Sequence, residues 1–162
     1  MIKRIMRYLK GTEKCGILFQ CNDDDTLQCF TDSDYAGDPL SRISTSGMIF
    51  MSYGGAVSWR SQRQSCIALS TTEAKFIAAS QAAKEAIWLG NLLSELRCVS
   101  TIPVLQMDNQ SAIRLVKDPE FHSRTKFIAL GTSLFVNNIK QNNLMLFIAA
   151  VRCKLLIFLL NL

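Results

Sequence analysis

Residues 30–38 read FTDSDYAGD, so Asp32, Asp34 and Asp38 fall within seven positions of one another. Carboxylates that dense either cap turns or hold a hard cation, because Mg2+ takes a few carboxylates together with water. A second candidate, Asp108, stands in QMDNQSA, where a short apolar run gives way to a helical pattern. Ligand sites in α/β sheets gather at the carboxyl ends of strands, so Asp32 and Asp108 on neighbouring strands would form such a cation site. The alternative for Asp108 is a cap on the helix that follows it. Asp34 shares a face with Asp32 only if the strand continues that far.

The elements that must position these residues follow from periodicity and turn chemistry. Residues 2–10, IKRIMRYLK, put Ile2, Ile5, Met6 and Leu9 on one helical face among four basic residues, and Gly11 ends the run. GILFQC (16–21) reads as a short strand, NDDDT (22–26) as a turn and LQCFTDSD (27–34) as a strand. SRISTSG (41–47) reads as loop. MIFMSY (48–53), a turn at Gly54-Gly55 and AVSWRSQR (56–63) give a hairpin signal, and SCIALS (65–70) adds extended chain. The clearest helix is 70–97, where Phe76, Ala79, Ala83 and Ile87 keep helical spacing, as do Leu89, Leu92, Leu93 and Leu96. Ser70 and Glu73 form a capping box at its start. PVLQMD (103–108) reads as a strand, 109–117 as a helix, a further helix runs to about Lys140, and LMLFIAAV (144–151) is the last strand. This order predicts a mixed α/β layer fold around one sheet, antiparallel at the hairpin and parallel where strands alternate with helices.

The totals set limits on the function. The chain has 162 residues, 49 % of them hydrophobic, which fits one domain with its own core and excludes global disorder. Lys and Arg outnumber Asp and Glu by 18 to 13, and the resulting +5 suits a polyanionic partner without requiring one. The six cysteines show no CxxC pair and no zinc spacing, which predicts reduced, packed thiols. The basic start lacks the apolar run of a signal peptide, and Arg152 and Lys154 interrupt the apolar C-terminal run. The expectation is an intracellular protein with no membrane partner.

FTDSDYAGD, STSGMIFMSYGGAVSWRSQRQSCIALSTTEAKFIAA, EAIWLGNLLSEL, QMDNQSAI and FHSRTK together resemble the ribonuclease H domain of copia-type retrotransposon Pol polyproteins. KRIMRYLKGT resembles the lead-in from the reverse transcriptase. The resemblance covers nearly the whole chain. It implies the ribonuclease H-like fold, a five-stranded mixed sheet flanked by helices, with residues 1–20 as the end of the reverse transcriptase connection and 21–162 as the domain. It also implies an endonuclease that uses Mg2+ or Mn2+ to cut the RNA strand of an RNA–DNA hybrid, inside a parent polyprotein.

That family uses four acidic positions. The first resembles Asp32 and the third Asp108. The second is a glutamate in an A-E-aromatic-x-A pattern, where this chain has Lys75 in Ala74-Lys75-Phe76-Ile77-Ala78; the fourth is an aspartate before Ile-Phe, where it has Leu156. Glu73 does not replace the missing glutamate, since residues two apart on a helix point about 200° apart. Asp32 and Asp108 supply −2 and Lys75 adds +1, and an ammonium 4 Å from a divalent ion costs ~8 kcal/mol at an effective dielectric of 20. Lost catalysis is the expectation, with hybrid binding as the alternative function. Lys75 either bridges the two aspartates as a tethered counter-ion or bends its long stem into solvent. Asn109, Ser111, Arg124 and Lys126 are the expected nucleic-acid contacts, with Arg42, Arg60 and Arg63 as further phosphate candidates. His122 is read as a local hydrogen-bonding group, and Trp59 and Trp88 as packed side chains.

Overall fold

The computed structural model describes residues 2–20, 26–96, 102–117, 129–141 and 143–148. Its elements in chain order are α1 (Ile2–Gly11), β1 (Gln28–Asp34), β2 (Thr45–Ser52), β3 (Gly55–Arg63), α2 (Thr71–Glu95), β4 (Val104–Met107), α3 (Gln110–Lys117), α4 (Ala129–Lys140) and β5 (Met145–Ile148). The five strands make one sheet in the order β3-β2-β1-β4-β5. β1 pairs antiparallel with β2 and parallel with β4, so the sheet changes from antiparallel to parallel at β1. β1 and β4 are neighbours, and Asp32 and the residue just past β4 come to the same end of the sheet.

Alternation along β1 buries Cys29, Thr31 and Ser33, while Phe30, Asp32 and Asp34 are only half-buried. The buried positions meet α2, whose inward face is mostly alanine: Ala79, Ala82, Ala83 and Ala86, with Phe76 and Leu89. Small side chains let a long helix lie close to the sheet, and the larger groups come from Leu27, Met48, Phe50, Leu105, Met107 and Phe135. The expected stripe holds at Phe76, Ala79, Ala83 and Leu89, but Ile87 is half-buried and Leu96 is exposed.

Several sequence expectations are corrected. Residues 16–20 form no strand. The Gln20 N–H donates to the Tyr53 carbonyl at 2.7 Å, and Ile17 and Phe19 sit against Gly55. Residues 65–70, read as extended chain, lie outside the sheet, whereas β2 begins at Thr45, inside the stretch read as loop. The hairpin turn centres on Tyr53 and Gly54, both with positive φ, rather than on Gly54-Gly55; two left-handed residues in succession match the twist of the strands they join. Trp59 and Trp88 are 51 % and 57 % exposed, so neither is packed away. Of the cysteines, Cys29 is buried, and burial pushes its thiol pKa up, but Cys15 and Cys66 are exposed. Cys21, Cys98, Cys153 and the C-terminal residues 149–162 lie outside the described residues. No helix among those described is long and apolar enough to cross a membrane.

Candidate functional site

The three carboxylates of FTDSDYAGD do three different jobs. Asp38 is a turn residue. Its oxygens accept from the Leu40 N–H at 3.1 Å and the Ser41 hydroxyl at 2.6 Å, and it pairs with Arg63. The Ser41 and Leu40 hydrogen bonds and the Arg63 charge hold its pKa below the usual carboxylate range. Asp34 is the last residue of β1, on the same face as Asp32, and lies over Gly37, where a Cβ would collide with its carboxylate. Asp32 is the one of the three that meets Lys75. Its Oδ1 accepts the Ser33 N–H at 2.7 Å and lies 3.1 Å from Lys75 Nζ.

Lys75 reaches this point because α2 starts where it does. The Ser70 hydroxyl accepts the Glu73 N–H at 3.1 Å, and Glu73 Oε2 accepts the Leu69 N–H at 2.7 Å. The capping box is present, with its return bond shifted one residue upstream. Glu73 is therefore committed to the cap. Phe76 points into the core, which fixes the roll of α2 and sends its neighbour Lys75 toward β1 and β4. Lys75 Nζ donates to both Asp108 oxygens, at 2.6 and 2.7 Å. The same nitrogen lies 3.1 Å from Asp32 Oδ1, so one ammonium faces both carboxylates. A cation near a helix N-terminus opposes the helix dipole by only ~0.3–1 kcal/mol, which two carboxylates readily outweigh.

The geometry therefore selects the counter-ion reading of Lys75 over the solvent one. Partial burial pulls the ammonium toward its neutral form, but the Asp108 hydrogen bonds and the Asp32 charge outweigh it. Lys75 is held above its ordinary value of 10.5. The stability this contact provides is present below the unfolded pKa and is lost as pH rises through the higher folded one. Against a Lys75→Met variant, urea unfolding is expected to show an advantage of about 1–2 kcal/mol, discounted because the group is partly solvated. That advantage stays flat from roughly pH 7 to 10 and shrinks above it. A difference that shrinks instead on acidifying from pH 7 to 6 would refute the assignment.

Asp108 does not cap α3. That role falls to Asn109, whose Oδ1 accepts the Ala112 N–H at 3.0 Å. Ser111 is exposed in the first turn of α3. Arg63 is tied to Asp38 and Ser41, and Arg60 lies 3.7 Å from Glu85, so two of the expected phosphate contacts already have protein partners. Sequence reading missed those pairings because each joins residues more than twenty positions apart. Arg124, Lys126, His122 and Leu156 lie outside the described residues. Among the described residues no cluster of three or more His, Cys, Asp or Glu could hold an ion. Two carboxylates whose oxygens already face an ammonium do not fit a pair of divalent cations.

No family model matches the chain. It is 46 % identical over 127 residues to the retrovirus-related Pol polyprotein from transposon TNT 1-94 of Nicotiana tabacum, a match that covers 78 % of this chain and 10 % of that protein. The chain spans about a tenth of the length of the plant transposon Pol polyproteins it matches. Among solved structures, LC11-RNase H1 isolated from compost superposes with a TM-score of 0.57 at 16 % identity, covering 85 % of this chain and 94 % of that one. The foamy viral protease-reverse transcriptase in complex with dsDNA gives 0.54 at 12 % identity, covering 85 % and 93 %.

Proposed function

The chain is homologous to a segment of the Pol polyproteins of plant retrotransposons and has the ribonuclease H fold, and from that premise we propose that it is a ribonuclease H-like domain of a Pol polyprotein that has lost cleavage. The observation that carries this reading is Lys75 Nζ seated 2.6 Å from Asp108 and 3.1 Å from Asp32. Cleavage in such a domain depends on divalent ions held by carboxylates at this end of the sheet, where an ammonium opposes them. Position 156, where the resemblance implies an aspartate, carries leucine. Residues 1–20 are read as the end of the connection from the reverse transcriptase; α1 keeps an apolar face with no buried residue, as suits a segment whose packing partner lies elsewhere in the polyprotein.

What remains is a grip on RNA–DNA hybrid. The +5 charge, the exposed start of α3 with Ser111, and the segment carrying Arg124 and Lys126 are the proposed sources of phosphate contacts, and one protein of similar fold, the foamy viral protease-reverse transcriptase, was solved in complex with dsDNA. Incubation with labelled hybrid in Mg2+ and Mn2+ is expected to give no RNA cleavage; turnover that disappears in an Asp32→Asn variant would overturn the reading. Because Arg60 and Arg63 are already paired, the expected phosphate contacts are few. A plot of log affinity against log salt should therefore fall with a slope of about −2 to −4. A slope near zero would remove hybrid binding through phosphates.

A further inference from the structure

We propose that the Lys75 ammonium takes the structural place of a divalent cation, tying together the ends of β1, α2 and β4, so that the residue at position 75 decides whether the stability of this chain responds to divalent ions. The proposal rests on the reading that Asp32 and Asp108 are surviving ligand positions, and it adds a consequence for folding that lost cleavage does not require.

Three separate stretches of chain meet at one nitrogen. Asp32 comes from β1, Lys75 from the first turns of α2, and Asp108 from the residue just past β4, immediately before the Asn109 cap of α3. Asp32 and Asp108 sit on parallel neighbouring strands, so without a cation between them their charges repel across the join that brings α3 back onto α2. The ammonium removes that repulsion at a net site charge of −1. It donates to both oxygens of Asp108 and holds Asp32 Oδ1 at 3.1 Å, so leaving for solvent would give up both carboxylates at once. Its side chain is 20 % exposed, against 22 % for Asp32 and 38 % for Asp108, so the contact is half-sheltered and not a free surface pair.

Glutamate at the same position reverses the arithmetic. Three carboxylates give −3, and one bound divalent ion returns the site to −1, the native value. Lys75→Gln leaves −2, which an ion takes to zero. Both variants are therefore expected to be stabilised by divalent cations where the native chain is not, without any ligand from position 156.

The test is the thermal midpoint of the full chain in EDTA and in millimolar MgCl2, MnCl2 or CaCl2 at matched ionic strength. The native chain is expected to melt at one temperature throughout. Lys75→Glu is expected to melt lower in EDTA and to recover by roughly 5–10 °C at an ion concentration about 100 times its Kd. Lys75→Gln is expected to recover by less. If Lys75→Glu does not fold in EDTA, folding on addition of the ion supports the proposal. Failure in both conditions passes the decision to Lys75→Gln, whose indifference to ions would overturn it. A native midpoint that rises with divalent ions as much as the variants' would also overturn it. Hybrid cleavage by the native chain would instead sink the functional reading, so the two failures are separable.

Discussion

A chain carrying Lys75→Glu and Leu156→Asp together is expected to cut the RNA strand of an RNA–DNA hybrid in Mg2+, where the unmodified chain cuts none. The two changes raise the carboxylate count at the resemblance positions from two to four and remove the ammonium that now contacts Asp32 and Asp108. A gain of at least about 100-fold over background is expected, the scale on which single charge-stabilising groups are felt in hydrolytic sites. Leu156→Asp alone is expected to stay silent, because the ammonium remains in the site. Asp32→Asn added to the double variant should abolish the gain, which separates restored chemistry from a contaminating nuclease. If the double variant folds, binds hybrid and still does not cut, the loss extends beyond the acidic positions.

Much of this was legible in the sequence, and the pattern of success has a physical reason. β1, α2, β4 and α3 carry their own signals: a period of two or 3.6, a Ser-x-x-Glu start, and an aspartate where an apolar run stops. Those elements position the site, so Asp32 and Asp108 could be named from strand ends alone, and Lys75 from the resemblance, before any coordinates. What needed coordinates was every outcome settled by contacts distant in sequence. Arg60 and Arg63 look like free phosphate ligands until Glu85 and Asp38 are seen beside them. Trp59 reads as a packed side chain, yet β3 is an edge strand and leaves it half exposed. The two readings of Lys75 differ only in the direction of a flexible stem, which no local pattern fixes. The hairpin turn was misplaced by one residue, because the Gly54-Gly55 pair suits positive φ better than the Tyr53 that adopts it, and the cap of α3 fell to Asn109 and not to its neighbour Asp108.

Phe135→Ala is expected to cost about 3–5 kcal/mol, lowering the thermal midpoint by roughly 6–20 °C. Phe135 is 1 % exposed, and its ring meets that of Phe76 edge to face, with centroids 5.9 Å apart at 65°. The substitution opens a cavity between α4 and α2 and removes a ring contact worth about 0.5–1.5 kcal/mol beyond the buried area. Phe76→Ala is expected to cost a similar amount, and the double variant less than the sum, by an amount on the order of that ring contact. The two single variants should differ at the site. Phe76 is next to Lys75 in sequence and sets the roll of α2, whereas Phe135 acts on the helix from outside. The Lys75 advantage measured against Lys75→Met is therefore expected to shrink in a Phe76→Ala background and to persist in a Phe135→Ala background. Equal losses in both would mean that the cap at Ser70, and not the ring at Phe76, orients Lys75 toward the two aspartates.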